Sequence, residues 1–194
     1  MNVILPTSYF PSINYFKSVN NSSTIDIDIF EHYRRRSLHN RTEILGSNGT
    51  LLLTVPIKKK KTKTVIRDIK ISGQDWKKKH IHSIKSAYGS SPFFIYYFED
   101  IIKIINTKYD FLIDLNNHIL NHFINELEIN TNIEKTDTYQ GLSYNYIFDI
   151  KRKKAVKEEM DEYQQVFGSE FISNLSIIDL IFNLGPNTKN YLNK

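Results

Sequence analysis

Residues 174–186, NLSIIDLIFNLGP, place four polar side chains in an otherwise apolar run near the end of the chain. The apolar positions have helical spacing and Gly-Pro closes the run, which predicts a helix that begins at about residue 176. A polar group buried in such a helix costs free energy unless it finds a partner. The four side chains must therefore serve the fold or a ligand: Asn174, Ser176, Asp179 and Asn183.

Two of these polar residues match a known helix signal. Ser176 and Asp179 have the Ser-x-x-Asp spacing of a helix N-terminus, so capping accounts for Ser176. Capping does not account for Asn183, which lies one turn beyond Asp179 on the same face. We therefore predict that Asn174, Asp179 and Asn183 face something polar, with Asp179 in a catalytic role and the two asparagines in contact with substrate.

The N-terminal half of the chain has strand-like patterns and one early helix. In residues 24–31, Ile25, Ile27 and Ile29 alternate with aspartates, which predicts a half-buried strand with Asp26 and Asp28 on its outer face. The other predictions for this half are strands at 2–5 and 65–71, a helix over 12–19 that Pro11 opens, and a hairpin of 41–45 and 51–57 around Gly46-Ser47-Asn48-Gly49.

The second half changes to helical periodicity. Helices are predicted over 75–88, from 91 to about 105 and over 110–127, whereas 130–149 is predicted to be irregular and 151–159 to be charged and exposed. In the first of these helices Trp76 and His80 share the apolar face, and Lys77, Lys78 and Lys85 are predicted to point away from it. Strands followed by helices predict one domain over residues 1–194, of α/β or α+β class.

Composition limits the classes of function. The 194 residues are 40% hydrophobic and 13% aromatic, enough for a core, and the absence of cysteine excludes disulfides and thiolate chemistry. No N-terminal run resembles a signal peptide and no apolar stretch is long enough to span a bilayer. The expected location is the cytoplasm, without a membrane span.

The net charge of +5 comes largely from basic runs at 34–36, 58–63, 77–79 and 151–154. Such runs attract phosphates, nucleotides or RNA. The chain is also rich in Lys, Asn and Ile throughout, so these lysines equally fit a solvated surface. Both interpretations stay open from the sequence.

Three segments carry side chains suited to chemistry, although phosphate-binding loops, dinucleotide fingerprints and nucleophile elbows are absent. Tyr9 lies in the loop that joins the first strand to the first helix, where α/β folds place ligands, although the loop also fits a turn that its prolines make rigid and whose aromatic side chains pack. Asn40 and Arg41 offer amide and guanidinium donors for a carboxylate or phosphate, unless Arg41 pairs with Asp26 or Asp28. No cofactor and no metal are expected, because His80 and His82 are two apart on a helix and point to different faces.

His80 has two interpretations as well. A lone histidine on an apolar helix face is commonly a hydrogen-bonded core residue. Burial would also lower its pKa and keep the imidazole neutral, which is the state that a general base requires. We therefore include His80 with Asp179 as a catalytic candidate.

Several segments, in order over nearly the whole chain, resemble the WbqC-like family of bacteria in the form seen in Bacteroidetes-type proteins. The segments are 5–11 with 15–16, 33 with 40–41, 53–57, 76–80 with 84 and 87–88, 91–94, 163 with 165–167, and 174–186. The resemblance implies a cytoplasmic protein of O-antigen or other surface-polysaccharide pathways and a transferase of glycine or another amino-acyl or acyl group. Leu5 stands where many members have glutamine.

Three functions compete. The first is a transferase acting on a small molecule, a nucleotide-activated sugar or an acyl donor, with one pocket that gathers Arg41, His80 and Asp179. The alternative is a non-catalytic binder of RNA or another polyanion that uses the lysine runs. The third is an assembly partner with an exposed apolar patch at Phe93, Phe94, Tyr96 and Tyr97. The oligomeric state is left open.

Overall fold

A computed structural model describes residues 2–58, 64–140, 160–168 and 170–194. It confirms the predicted mixed α/β class, with strands and one early helix first and a helical second half. The elements in chain order are β1 (Asn2–Leu5), α1 (Ile13–Asn20), β2 (Thr24–Ile27), β3 (Arg41–Gly46), β4 (Gly49–Thr54), α2 (Asp75–Tyr88), α3 (Phe94–Asn106), α4 (Leu112–Glu126), β5 (Asn132–Lys135), α5 (Ile177–Leu184) and α6 (Thr188–Leu192).

The strands form two separate sheets. In the first, β2 lies between β1 and β5 and all three run parallel, with Leu5 opposite Ile27 and Ile27 opposite Lys135. The second is the predicted antiparallel hairpin of β3 and β4, in which Arg41 lies opposite Thr54. Because the parallel strands end at the same edge, the loops that follow them meet there.

Strand β2 is shorter than predicted, and the reason is Asp28. Its carboxylate Oδ1 accepts hydrogen bonds from the backbone N–H of Phe30 at 3.0 Å and from the Thr136 hydroxyl at 3.3 Å, which turns the chain just past the strand. Asp28 is completely buried. The prediction that it lies on an outer, solvated face is therefore wrong.

The strand predicted over 65–71 is also wrong. A short 3-10 turn covers Ile66–Asp68, and single bridges on either side pair Val65 with His32, Ile71 with Ile57 and Lys70 with Phe111. Three different partners within seven residues leave no room for a ladder, although Ile66, Ile69 and Ile71 still reach the core.

Two elements near the C-terminal half were not predicted. Residues 132–135, expected to be irregular, form β5 at the edge of the parallel sheet; Ile133 is the one apolar residue in it, so the strand has no hydrophobic pattern. Helix α5 ends at the predicted Gly-Pro, but the chain then turns into α6. The predictions for 141–149 and 151–159 lie outside the described residues.

Lys77 does not point away from the core as predicted. Its side chain is 8% exposed, and its ammonium donates to the backbone carbonyls of Asn106 and Thr107 at 3.2 and 2.9 Å. These carbonyls are at the end of α3, where a cation is favourable. Lys78 and Lys79 are exposed. The basic run at 77–79 is therefore not a single solvated face.

Helix α5 packs against the loop that follows β1. Backbone hydrogen bonds join Ile13 N–H to the Leu175 carbonyl at 2.9 Å and Ile177 N–H to the Pro11 carbonyl at 2.8 Å. The rings of Phe10, Phe16 and Phe123 meet edge to face beneath them. The start of α5 is thereby fixed to the N-terminus of α1.

Candidate functional site

Asp179 is completely buried in α5 and accepts hydrogen bonds from three neutral side chains. The Tyr88 hydroxyl donates to Oδ1 at 2.9 Å; the Tyr163 hydroxyl and Gln165 Nε2 donate to Oδ2 at 2.5 and 3.1 Å. Burial raises the pKa of Asp179, and the three donors oppose that rise. We call Tyr88, Tyr163, Gln165, Asp179 and Asn183 the closing-helix cluster.

The closing-helix cluster joins four parts of the chain. Tyr88 ends α2, and its hydroxyl oxygen also accepts the N–H of Leu45 from β3 at 3.1 Å. Gln165 donates to the Ile172 carbonyl at 2.9 Å and accepts the Ile172 N–H at 3.0 Å. A carboxylate in this position holds α2, β3, α5 and residues 163–172 together.

The other polar residues of α5 and its approach also bond protein groups. Asn183 Nδ2 donates to the carbonyl of Asp179 at 2.7 Å. Asn174 has φ of 55°, which asparagine tolerates better than most residues, and its Oδ1 accepts the Asn14 N–H at 3.0 Å. Ser176 stands at the N-cap, but its hydroxyl donates to the Phe10 carbonyl at 3.1 Å, so the prediction of side-chain capping is wrong.

Tyr9 and His80, which are distant in sequence, form a buried pair. The Tyr9 hydroxyl lies 2.8 Å from His80 Nδ1, and the backbone of Thr54 is close enough to the imidazole to raise its pKa, against the larger, lowering effect of burial. In the tautomer that carries its hydrogen on Nε2, Nδ1 accepts from the Tyr9 hydroxyl. Burial lowers the pKa of His80 to about 4, which keeps the imidazole neutral at neutral pH.

Asn40 and Arg41 stand at the start of β3. The Tyr33 hydroxyl donates to Asn40 Oδ1 at 3.0 Å, and Asn40 Nδ2 donates to the Val55 carbonyl at 2.7 Å. Arg41 is half-buried, and its Nε is fully buried without a hydrogen-bond partner among the described residues. The guanidinium lies close enough to Tyr33 to lower the pKa of that phenol, against the larger effect of burial, which raises it.

The predicted site residues divide into two groups. Thr54 lies opposite Arg41 in the hairpin and its backbone is close enough to His80 to raise the pKa of that imidazole, so Tyr9, Asn40, Arg41 and His80 meet at one end of β3. We call these four residues with Tyr33 the hairpin-entrance cluster. Tyr88 lies two helical turns beyond His80, about 12 Å along α2. Asp179 and Asn183 are therefore at the other end of α2, and a single pocket that gathers both groups, like their contact with substrate, stays a prediction.

Sequence reasoning missed a buried pair beside Asn40. His39 Nε2 and Glu31 Oε1 are 2.8 Å apart and each side chain is 2% exposed. Asn116 of α4 donates from Nδ2 to the His39 carbonyl at 2.8 Å. The available signal was the dense polar run at 31–41, of which only its last two residues were selected as candidates.

The surface predicted for an assembly partner is only partly exposed. Phe94 is buried and stacks on Phe98 at 4.3 Å between ring centroids, and Phe93 and Tyr97 are half-buried. Tyr96 is exposed, as is its neighbour Ile95. The expected four-residue patch is therefore wrong at Phe94.

The described ranges contain neither a metal-ligand cluster nor a membrane-spanning helix. No cluster of three or more histidine, cysteine, aspartate or glutamate side chains within them is placed to hold a metal ion. None of their helices combines the length and apolarity that crossing a membrane requires.

Comparison with known proteins gives a family. The model of the WbqC-like protein family matches residues 7–160 and 153–191. A protein of Mycobacterium tuberculosis named "Uncharacterized protein Rv1507c" is 25% identical over 222 residues, which cover 97% of this chain and 96% of that protein. No solved structure matches the chain. Neither match supports the Bacteroidetes-type qualifier. The matched ranges span nearly all of the sequence, and the chain belongs to the WbqC-like protein family.

Proposed function

We propose that the protein is a cytoplasmic transferase of a glycyl, other amino-acyl or acyl group in the synthesis of a cell-surface polysaccharide, and a Bacteroidetes-type member of its family. One observation carries the proposal: the buried Nε of Arg41 has no partner among the described residues. A buried cationic donor is costly without an acceptor, and a phosphate or carboxylate of an activated substrate would supply one.

Arg41 would hold the anionic group of a nucleotide-activated sugar or an acyl donor, and Asn40 would orient it. Asn40 keeps one amide hydrogen for this role, because Nδ2 donates to Val55 and Oδ1 accepts from Tyr33. This arrangement fits planar, bidentate recognition by a guanidinium, which an ammonium could not reproduce.

Tyr9 and His80 would move the proton. The nucleophile attacks the carbonyl carbon of the transferred group, and the bond from that carbon to the leaving atom breaks. The proton of the nucleophile passes to the Tyr9 oxygen while the Tyr9 proton moves to Nδ1 of the neutral His80, 2.8 Å away, and the same relay run in reverse returns a proton to the leaving atom, which departs with the bonding electron pair. The closing-helix cluster would act at a distance, because Tyr88 fixes the helix that carries His80.

In this proposal Asp179, Asn174 and Asn183 support the site. Each bonds a group that holds α5, α1 or α2 in place. A direct catalytic role for Asp179 would require its carboxylate to leave the three donors that surround it.

The experiment is a thermal-shift screen of nucleotide sugars, acyl donors and nucleotides on the wild-type protein, on Arg41→Ala and on Arg36→Ala. Arg36 is exposed, so its substitution is the matched control for the loss of one positive charge. We expect a ligand that raises the melting temperature of wild type and Arg36→Ala but not of Arg41→Ala. Stabilisation that persists in Arg41→Ala would remove the proposal.

The RNA-binding alternative makes a different prediction. Lys77 is already bonded to the end of α3, which leaves Lys78 and Lys79 of that run for a polyanion. Binding through the lysines would weaken steeply with added salt and would be insensitive to Arg41→Ala.

A further inference from the structure

Two of the buried side-chain atoms that have no hydrogen-bond partner in the described part of the chain belong to residues that contact Tyr9, His80 and His39. They are Trp76 Nε1, on a side chain that is 5% exposed, and Asn116 Oδ1, on a side chain that is 1% exposed. Unpartnered buried polar atoms are uncommon in folded proteins, and each requires an explanation.

Both atoms belong to residues that flank the same short segment, 38–41. The Trp76 ring lies 6.2 Å from the Tyr9 ring and 5.0 Å from the His80 ring, centroid to centroid. The Tyr9 N–H donates to the Leu38 carbonyl at 3.0 Å. Asn116 bonds the next carbonyl, that of His39, at 2.8 Å. These contacts place Trp76 and Asn116 beside the hairpin-entrance cluster.

The chemistry of the two atoms is fixed by their bonds. The His39 carbonyl can only accept, so the Asn116 amide must present its nitrogen to His39 and leave its oxygen, an acceptor, unpartnered. The indole of Trp76 has a single N–H and is a donor only. The pair therefore offers one donor and one acceptor.

This combination discriminates between ligand groups. A carboxylate or the dianion of a phosphate ester accepts from Trp76 but has no hydrogen for Asn116, and an ammonium donates to Asn116 but cannot accept from Trp76. A hydroxyl does both. A sugar ring carries several hydroxyls, so different hydroxyls of one ring can serve the two atoms, and an indole is a suitable surface for its apolar face.

We propose that Trp76 and Asn116 form a hydroxyl-binding subsite beside Arg41, and that the substrate held there is a sugar phosphate, free or linked to a nucleotide. The inference rests on the proposed function, because it assumes that Arg41 binds the phosphate. It goes further by selecting sugar phosphates over anionic acyl donors that lack hydroxyls.

The test compares three probes by calorimetric or NMR titration: a hexose 1-phosphate, acetyl phosphate and inorganic phosphate. In wild type we expect the hexose 1-phosphate to bind about five- to tenfold more tightly than the other two probes, because about one additional hydrogen bond contributes that much to the affinity. Trp76→Phe keeps an aromatic ring and removes the N–H. We expect it to abolish the preference while leaving the affinity for inorganic phosphate unchanged.

The controls separate the two proposals. Lys79→Ala, an exposed change on the same helix, should keep the preference. Asn116→Leu provides a second variant of similar size if Trp76→Phe is poorly folded. Equal binding of all three probes to wild type, or a preference that survives Trp76→Phe and Asn116→Leu, overturns the hydroxyl subsite and assigns the two atoms to structural water. The same titrations on Arg41→Ala test the proposed function. If the probes bind that variant as tightly as they bind wild type, the proposed function is overturned.

Discussion

The closing-helix cluster and the hairpin-entrance cluster both bury polar side chains against α2, but they differ in how those side chains are bonded. Around Asp179 the carboxylate is met by Tyr88, Tyr163 and Gln165. At the hairpin entrance Tyr9 and His80 bond each other, whereas three atoms are buried without a partner among the described residues: Arg41 Nε, Trp76 Nε1 and Asn116 Oδ1.

This difference distinguishes buried polar groups that stabilise the fold from those that are available to bind a ligand. Polar groups that find partners within the chain lower the free energy of one packing arrangement and need no ligand. Polar groups that are buried without partners reduce stability. They are expected at functional sites, where a ligand supplies the missing hydrogen bond. This difference supports the proposal that a ligand binds beside Arg41 rather than beside Asp179.

The largest test of the comparison is Asp179→Ala. The substitution would leave two hydroxyls and an amide buried without their acceptor, and we expect a loss of about 3–4 kcal/mol in the free energy of unfolding. Urea unfolding followed by circular dichroism measures it. A loss below about 1 kcal/mol would contradict a structural role for the cluster, since a surface substitution costs no more than that.

The second test is the pH dependence that His80 brings to stability. The pKa of His80 in the folded protein, about 4, lies below the ordinary value of 6.5. Between these two pH values the imidazole is therefore protonated in the unfolded chain and neutral in the folded one. The contribution is complete above pH 6.5 and is lost as the pH falls through 4, by about 3 kcal/mol.

His80→Gln is the control for this pH dependence. Glutamine can accept from Tyr9 and donate to Thr54 without titrating. The difference in unfolding free energy between wild type and His80→Gln should therefore shift against wild type as the solution is acidified from pH 7 to pH 4. A constant difference would show that His80 is not buried in its neutral form.

The third test compares two glycines that both have positive φ. A Cβ at Gly185, where φ is 53°, would lie 2.4 Å from the Phe93 ring, whereas a Cβ at Gly73, where φ is 65°, would meet nothing within 4 Å. We expect Gly185→Ala to lower the melting temperature by the equivalent of about 2–3 kcal/mol, since it adds overpacking to backbone strain. Gly73→Ala should cost about 1 kcal/mol. Equal losses would mean that the end of α5 can move away from Phe93.

The fourth test is Tyr9→Phe at the hairpin entrance. Removing the hydroxyl leaves His80 Nδ1 buried without its donor, so we expect a loss of about 1–2 kcal/mol in unfolding free energy. If the Tyr9–His80 pair also moves the proton, transferase activity should fall far more than stability. A variant with normal activity on an identified substrate would confine the pair to a structural role.

The smallest loss of stability is expected for Arg41→Ala, and it contrasts Arg41 directly with the fully bonded Asp179. Arg41→Ala removes a side chain whose Nε bonds nothing described, so we expect a change in unfolding free energy below about 1 kcal/mol, or a gain in stability. Chemical denaturation in the absence of ligand measures it. A loss as large as that of Asp179→Ala would place Arg41 among the structural groups.

The helices were predictable because their apolar residues recur at helical spacing. The bounds of α2 agree with the prediction, and those of α3 and α4 differ by at most about three residues. The failures lie where the pattern is weak or ambiguous. Strand β5 has one apolar residue at the edge of a sheet, and the apolar alternation at 65–71 serves three separate bridges.

The candidate site was predictable residue by residue but not as an arrangement. Arg41, Asn40 and His80 were selected for their donors and acceptors. The Tyr9–His80 contact joins residues 71 apart, and the Tyr88–Asp179 contact joins residues 91 apart. No local pattern encodes such separations, because they depend on how α2 lies along β3.

The sequence by itself determined the fold class, the positions of the main helices and the membership of a family, since these follow from local periodicity and from shared segments. The tertiary structure decided the meaning of the polar residues in 174–186. Asp179, chosen as a catalytic candidate, is surrounded by three donors that come from residues 88, 163 and 165. Arg41, chosen with the same reasoning, has a buried nitrogen that finds no acceptor among the described residues. Whether a buried polar group is satisfied depends on partners brought from distant parts of the chain, and that information exists only in the folded molecule.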